Sequence, residues 1–304
     1  MNFEMNASNS WWTKACSELK HHASRKLEAL CPTVFWKMRV WRLRRNLSEC
    51  ELQIAPFLCD RRKVSVDAGA SEGAYSVNIC DYSANCIAFE PRRDQAQRIR
   101  DMASAAGLGI GVEAVALSDV EGVAQLRVLT NDPGRSTIES ANKLEDSDGS
   151  PQTTMPISTM RLDDYKLPQV GFIKIDVEGH ELAALRGAKE TIESSMPNLL
   201  VEIEERHRKG AIKEVSSFLG DLGYEGFFIL RGEAQPLVQF NASVHQNPAN
   251  VGSWKDGWMR RGVYVNNFFF LPASSGSTFR MLVSSIGLKD IASNAKTGME
   301  VPTT

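Results

Sequence analysis

KVSVDAGASEG, residues 63–73, sets a short β-branched run directly before an acid-x-Gly-x-x-x-Gly turn. A run of this kind reads as a buried strand, and the glycines that follow let the backbone turn sharply and let a ligand approach closely. The helix expected from Ala74 to about Asp81 would present its positive end to an anionic group there. A dinucleotide fingerprint would read GxGxxG, and that spacing is absent. Asp67, which opens the turn, suits a ligand with a cationic end such as the ammonium group of an amino acid. A tight βα turn with incidental glycines is the competing reading of Asp67, Gly69 and Gly73.

Outward from this stretch the chain keeps a βα rhythm. CIAFE (86–90) predicts a second strand ended by Pro91, followed by a helix over about 92–106 that Gly107 terminates. Further strands are expected at GVEAVAL (111–117), FIKID (172–176) and LLVEI (199–203), with helices over 180–194 and 211–222. Two last strands, near 226–230 and 264–271, are expected to form an antiparallel edge. Residues 122–160 alternate in polarity around an acidic, turn-forming segment, which predicts an antiparallel flap rather than a βαβ unit. The fold class is therefore α/β, a mostly parallel sheet with helices on both faces. Three zones follow: a basic, Trp-rich helical extension (1–60), the main domain (61–272), and a polar, loosely held tail (273–304) with one short helix at 279–288.

Glu90 closes the second strand, 23 positions after Asp67. In doubly wound sheets an acid at about that separation accepts hydrogen bonds from ribose hydroxyls. Alone, a Glu at a strand end is usually a solvated charge. With Asp67 it describes a nucleoside site with an amino-acid end, which is the shape of S-adenosylmethionine.

DAGASEGAYS (67–76), AFEP (88–91), LDDY (162–165), EAVALSDVEG (113–122) and above all FIKIDVEGHELAALRGA (172–188) resemble the FkbM family of methyltransferases. The resemblance covers about residues 63–230. It implies a Rossmann-like class I methyltransferase with a seven-strand sheet, S-adenosylmethionine as cofactor, and O-methylation of hydroxyls on saccharides or other small molecules. Residue by residue, it implies that Asp67, Gly69 and Gly73 meet the methionine end and Glu90 the ribose, with Ser118 and Asp119 near the adenine.

Asp176, Glu178 and His180 are the catalytic candidates. Methyl transfer from a sulfonium is an in-line displacement that depends chiefly on positioning. An alcohol acceptor also loses a proton, which a nearby carboxylate can take. On the structural reading, Asp176 caps the following helix, and Glu178 and Glu181 favour its positive end. The acids at 176, 178 and 181 could also suit a hard divalent ion, but no pattern requires one and no metal is assigned. Glu202, Glu204, Glu205 and His207 after the fifth strand could line an acceptor pocket, but the expected reading for all but one of them is a solvated surface charge. Arg135 and Ser136 in the flap could touch the acceptor by position alone. Methylation of protein side chains or amines, or cofactor binding without turnover, are the alternative functions.

Net charge is −2, so no global field draws nucleic acid. Residues 1–50 depart from that balance, with nine Lys/Arg against four Glu. TVFWKMRVWRLRRNL (33–47) interleaves aromatic and basic residues. It has two readings: a cap packed on the domain, or a peripheral contact with an anionic membrane. No run of about 18 uncharged apolar residues occurs, and no basic start leads into an apolar signal segment. Six cysteines form no CxxC pair. The expected location is cytoplasmic, with reduced thiols.

Overall fold

The computed structural model describes residues 24, 26–45, 49–144, 150–252 and 261–288. Trp11, Trp12, Cys16 and the tail from residue 289 lie outside the described residues. The main sheet begins with β1 (Val64–Ala68), β2 (Asn85–Phe89) and β3 (Ile110–Glu113). A second sheet is built from β4 (Ala116–Leu117), β5 (Gly122–Leu129), β6 (Asp132–Thr137) and β7 (Gln152–Met160). The chain then returns to the main sheet with β8 (Val170–Ile175), β9 (Asn198–Glu202), β10 (Tyr224–Leu230), β11 (Glu233–Pro236) and β12 (Asn267–Pro272).

The main sheet has eight strands in the order β11-β10-β12-β9-β8-β1-β2-β3. Its parallel part, β3-β2-β1-β8-β9, has the doubly wound arrangement in which chain order reverses between β1 and β8. The last two expected strands do form the antiparallel end of the sheet, and one expectation is corrected: the sheet has eight strands rather than seven, β11 being the addition. Within that antiparallel end β12 is the inner strand, lying between β9 and β10 and antiparallel to both. Its sequence NFFFLP explains the place: an unbroken apolar run can be covered on both faces, and its first five residues are buried. Alternate residues feed opposite cores. Leu199, Val201, Phe268 and Phe270 pack with Leu185, Ile192 and Val215 on one side. Leu200, Phe269 and Leu271 pack with Leu52, Ile79 and Phe279 on the other.

The expected third strand is split. Residues 110–113 pair with β2, while 116–117 leave the main sheet to pair with β7. The flap that follows is antiparallel through β5, β6 and β7. The zone limits at 60 and 273 do not divide the cores. Helix Glu51–Leu58 buries Leu52, Ile54, Ala55 and Leu58. Helix Pro32–Arg45 buries Phe35, Trp36 and Val40 against Val77, Ile99 and Met102. Helix Gly276–Ile286, within the stretch read as a loose tail, sets Phe279 against the rings of Phe227 and Phe269, at 5.5 and 5.0 Å between centroids.

Candidate active site

The carboxyl ends of β1, β2 and β8 open into a cavity of about 690 Å³, with the flap as its opposite wall. This is the switch point at which open α/β sheets bind ligands. Asp67, Gly69, Glu90, Asp176, Glu178 and His180 all line it, and Arg135 and Ser136 line it from the flap. Gly73, Ser118 and Asp119 do not. Ser118 is buried with its hydroxyl 3.0 Å from Nε2 of His180, and Asp119 is exposed.

Asp67 and Glu90 are each held by backbone amides. Oδ2 of Asp67 accepts from the Ser76 amide at 2.8 Å and the Ser76 hydroxyl at 2.5 Å. Its Oδ1 is buried and accepts no hydrogen bond among the described residues. Burial raises the Asp67 carboxyl above the usual range, opposed by the charge of Lys174. An orphaned acceptor at a cavity wall fits the ammonium end of S-adenosylmethionine. Glu90 is buried, with Oε2 accepting from the Ser71 amide at 2.9 Å and Oε1 from the backbone and Nε of Arg92 at 3.0 and 2.9 Å. Carboxylate oxygens can accept further bonds, so these contacts fix its orientation and leave capacity for ribose hydroxyls.

Gly69 makes the sharp turn expected of it, with φ +77°, and has a further reason to be glycine. A Cβ on Gly69 would lie 1.8 Å from the carbonyl oxygen of Asp176. The glycine therefore lets the ends of β1 and β8 close together, where the Asp176 amide donates to the Ala68 carbonyl at 3.0 Å. Gly187, in the Leu-Arg-Gly stretch, plays the same part, since a Cβ there would meet the Ser118 carbonyl oxygen at 1.9 Å. The Leu-Asp dipeptide is also structural. Asp163 accepts from the amides of Glu190 and Thr191 at 3.1 and 2.9 Å, holding the start of helix Lys189–Ser195.

Asp176 makes no cap on the next helix. Its Oδ2 instead accepts from Nζ of Lys174 at 2.8 Å. Burial alone would lower Lys174, but the carboxylates of Asp176, Asp67 and Glu202 overturn that and raise it. Lys174 was missed in the sequence, although a lysine inside an otherwise apolar strand that ends in Asp is a visible sign of a buried ion pair.

Glu178 has a left-handed backbone, φ +54°. Two flap side chains hold it there: Thr137 Oγ1 and Asn142 Nδ2 donate to its carbonyl at 2.7 and 2.9 Å. Its Oε2 lies 3.2 Å from Nε2 of His207, yet the contact is not aligned as a hydrogen bond; both atoms are buried with no hydrogen bond among the described residues, and Nε2 also lies 3.8 Å from Oε1 of Glu204. Burial, with Asp176 and Glu204 nearby, pushes Glu178 well above the ordinary carboxyl range. Burial also pushes His207 down to about 4. Both directions favour a pair with no net charge, a carboxylic acid beside a neutral imidazole. His180 is likewise lowered, mainly by burial, with Glu139 opposing.

Behind Glu178 and Arg135 a second cavity of about 200 Å³ adjoins the first, lined also by Glu202, Glu204, Arg206, Tyr264 and Asn266. Burial and the nearby Asp176 and Glu204 carboxylates raise Glu202 well above its usual range. Burial acts on Glu204 too, but Arg206, His207 and the Tyr264 hydroxyl hold it at about 2. Glu205, by contrast, accepts from the amides of Gly210 and Ile212 and is spent on the loop. Among the described residues, no group of three or more His, Cys, Asp or Glu is arranged to hold a metal ion.

Residues 67–225, more than half the chain, match the family model described as the methyltransferase FkbM domain. A hexuronic acid methyltransferase, AglP, of Haloferax volcanii is 26% identical over 187 residues, covering 60% of this chain and 72% of that protein. Among solved structures, methyltransferase FkbM from Methylobacillus flagellatus is similar at 18% identity and a TM-score of 0.42. It matches 70% of this chain, which spans 44% of that one. SMU.1697c from Streptococcus mutans, solved in complex with SAH, is similar at 9% identity and a TM-score of 0.41, over 73% and 94% of the two chains.

Proposed function

The chain belongs to the FkbM methyltransferase family, and from that premise we propose that it O-methylates a hydroxyl of a saccharide, glycolipid or other small hydroxylated acceptor, with S-adenosylmethionine as donor. The observation that carries this reading is the pair of adjoining cavities that share Glu178 and Arg135 as a common wall. The larger has a buried acid at each of two neighbouring strand ends, suited to an amino-acid ammonium and a ribose. The smaller is lined mainly by carboxyl, guanidinium, phenol and amide groups, which suit a ring bearing several hydroxyls. The relative named as a hexuronic acid methyltransferase supports a sugar as the acceptor class.

Bound S-adenosylmethionine supplies an electrophilic methyl group and its own leaving group, so the protein's work is placement and removal of one proton. Asp67 and Glu90 orient the donor in this reading. Asp176 takes the proton from the acceptor hydroxyl. Glu178, whose protonated form is favoured by burial and by the nearby Asp176 and Glu204, serves in this reading as a hydrogen-bond donor rather than as base. His180, tied to Ser118, positions the loop between β8 and helix Glu181–Arg186.

Methyl-labelled S-adenosylmethionine, offered with uronic-acid glycans, neutral glycans, peptides and amines in parallel, tests the reading. We expect label on a sugar in a form that survives mild alkali, as a methyl ether does. Label on peptide or amine, or alkali-labile label marking an ester, would overturn it.

A further inference from the structure

Helix Pro32–Arg45 has two apolar faces, and among the described residues only one is packed against the domain. Phe35, Trp36 and Val40 are buried against the domain. Leu30, just before the helix, and Val34, Met38 and Trp41 within it are 78, 50, 43 and 57% exposed. Spacings of four, four and three residues place these four on one stripe along the outer side. The helix carries Lys37, Arg39, Arg42, Arg44 and Arg45 and no acid. Arg39 and Arg44 are paired inward, with Glu72 at 2.9 Å and Asp81 at 2.6 Å. Lys37, Arg42 and Arg45 are exposed beside the stripe, and the Arg45 guanidinium stacks over the exposed Trp41 ring at 4.6 Å.

We propose that this outer face docks on an anionic lipid bilayer. A second protein surface could cover an apolar stripe, but a stripe bordered by cations and lacking acids matches a sheet of anionic headgroups. An indole carrying a guanidinium suits the headgroup level, where one part of the side chain is dry and the other wet. No described helix is long and apolar enough to cross a membrane, so the contact is peripheral. The docking helix is also tied to the larger cavity, because Arg39 pairs with Glu72 and Glu72 lines that cavity. A docked protein thus holds its donor cavity next to the bilayer surface, where a lipid-linked acceptor would be found.

Co-sedimentation of the full chain with vesicles tests this, and it needs neither cofactor nor acceptor, so it can fail without touching the methyl-transfer reading. Vesicles of phosphatidylcholine with phosphatidylglycerol should carry the protein down at low salt and release it as sodium chloride rises. Vesicles of phosphatidylcholine alone should carry down much less. Arg42→Glu with Arg45→Glu, and separately Val34→Glu with Trp41→Glu, should each cut partitioning by about tenfold or more with an unchanged melting temperature. No binding by the natural chain at low salt would overturn the proposal, as would a Val34/Trp41 variant that binds like it. A dimer of the natural chain that the Val34/Trp41 variant dissolves, seen by sedimentation velocity, would assign the stripe to a second copy instead.

Discussion

The sheet wall of the larger cavity and its flap wall differ in how their residues are brought together. On the sheet wall, Asp67, Glu90 and Asp176 each sit at or just beyond the end of a parallel strand, Glu90 and Asp176 fixed by residues two positions away and Asp67 by Ser76 in the helix that follows its strand. The flap wall has no such local logic. Arg135 and Ser136 ride on β6, and the flap is registered to the sheet where Thr137 and Asn142 hold the Glu178 carbonyl. On the proposed reading, donor binding is a property of strand ends, while acceptor selection depends on how a second sheet is docked on one strained loop.

The largest expected effect lies where the sheet wall is tightest. Gly69→Ala puts a Cβ 1.8 Å from the Asp176 carbonyl oxygen at φ +77°. Only separation of β1 from β8 relieves that clash. A loss of about 4 kcal/mol or more is expected in urea unfolding. A stable variant that merely binds cofactor less well would show that the glycine serves the ligand and not the sheet.

Next come the two acids that face each other across the comparison. Asp176→Asn should lower single-turnover methyl transfer by roughly 10²–10⁴-fold with cofactor affinity little changed. Glu178→Gln replaces a group whose neutral form burial favours, so its rate should fall by less than about tenfold, less than loss of a general base would cost. The reverse order would make Glu178 the proton acceptor.

Glu181 gives a pH-dependent effect of intermediate size. It is buried, and its carboxyl is pushed up from 4.5 to about 7, with the Gly179 amide only partly offsetting burial. The folded-state value lies above the unfolded one. Stability therefore falls as pH rises from about 4.5 to about 7, and the penalty stays in full above that. Glu181→Gln should gain about 3 kcal/mol at about pH 8 and much less near pH 5. An equal gain at both values would remove ionisation as its cause.

How much of this was legible in the sequence follows the same division. KVSVDAGASEG, AFEP and FIKIDVEG are continuous stretches in which strand, turn and acid are read together, and all three meet at the larger cavity. The inner place of β12 was also legible in principle, since FFFL has no polar alternation and an edge strand would have shown it. The split of the third strand was not, because EAVAL is as good a strand in one sheet as in two. The smaller cavity depends on pairs such as Tyr264 with Glu204 and Glu178 with His207, separated by 60 and 29 positions. No local pattern joins such residues. The reason for Gly187 is hidden for the same cause, as its neighbour is the Ser118 carbonyl.

The central claim is that the strand-end acids hold the methyl donor, and calorimetric titration of S-adenosylmethionine into Glu90→Ala tests it most directly. The account expects binding weaker by about 1.5–3 kcal/mol, the loss of hydrogen bonds to a charged acceptor, in a variant whose circular dichroism spectrum matches that of the natural chain. A folded Glu90→Ala protein that binds S-adenosylmethionine as tightly as the natural chain would contradict it.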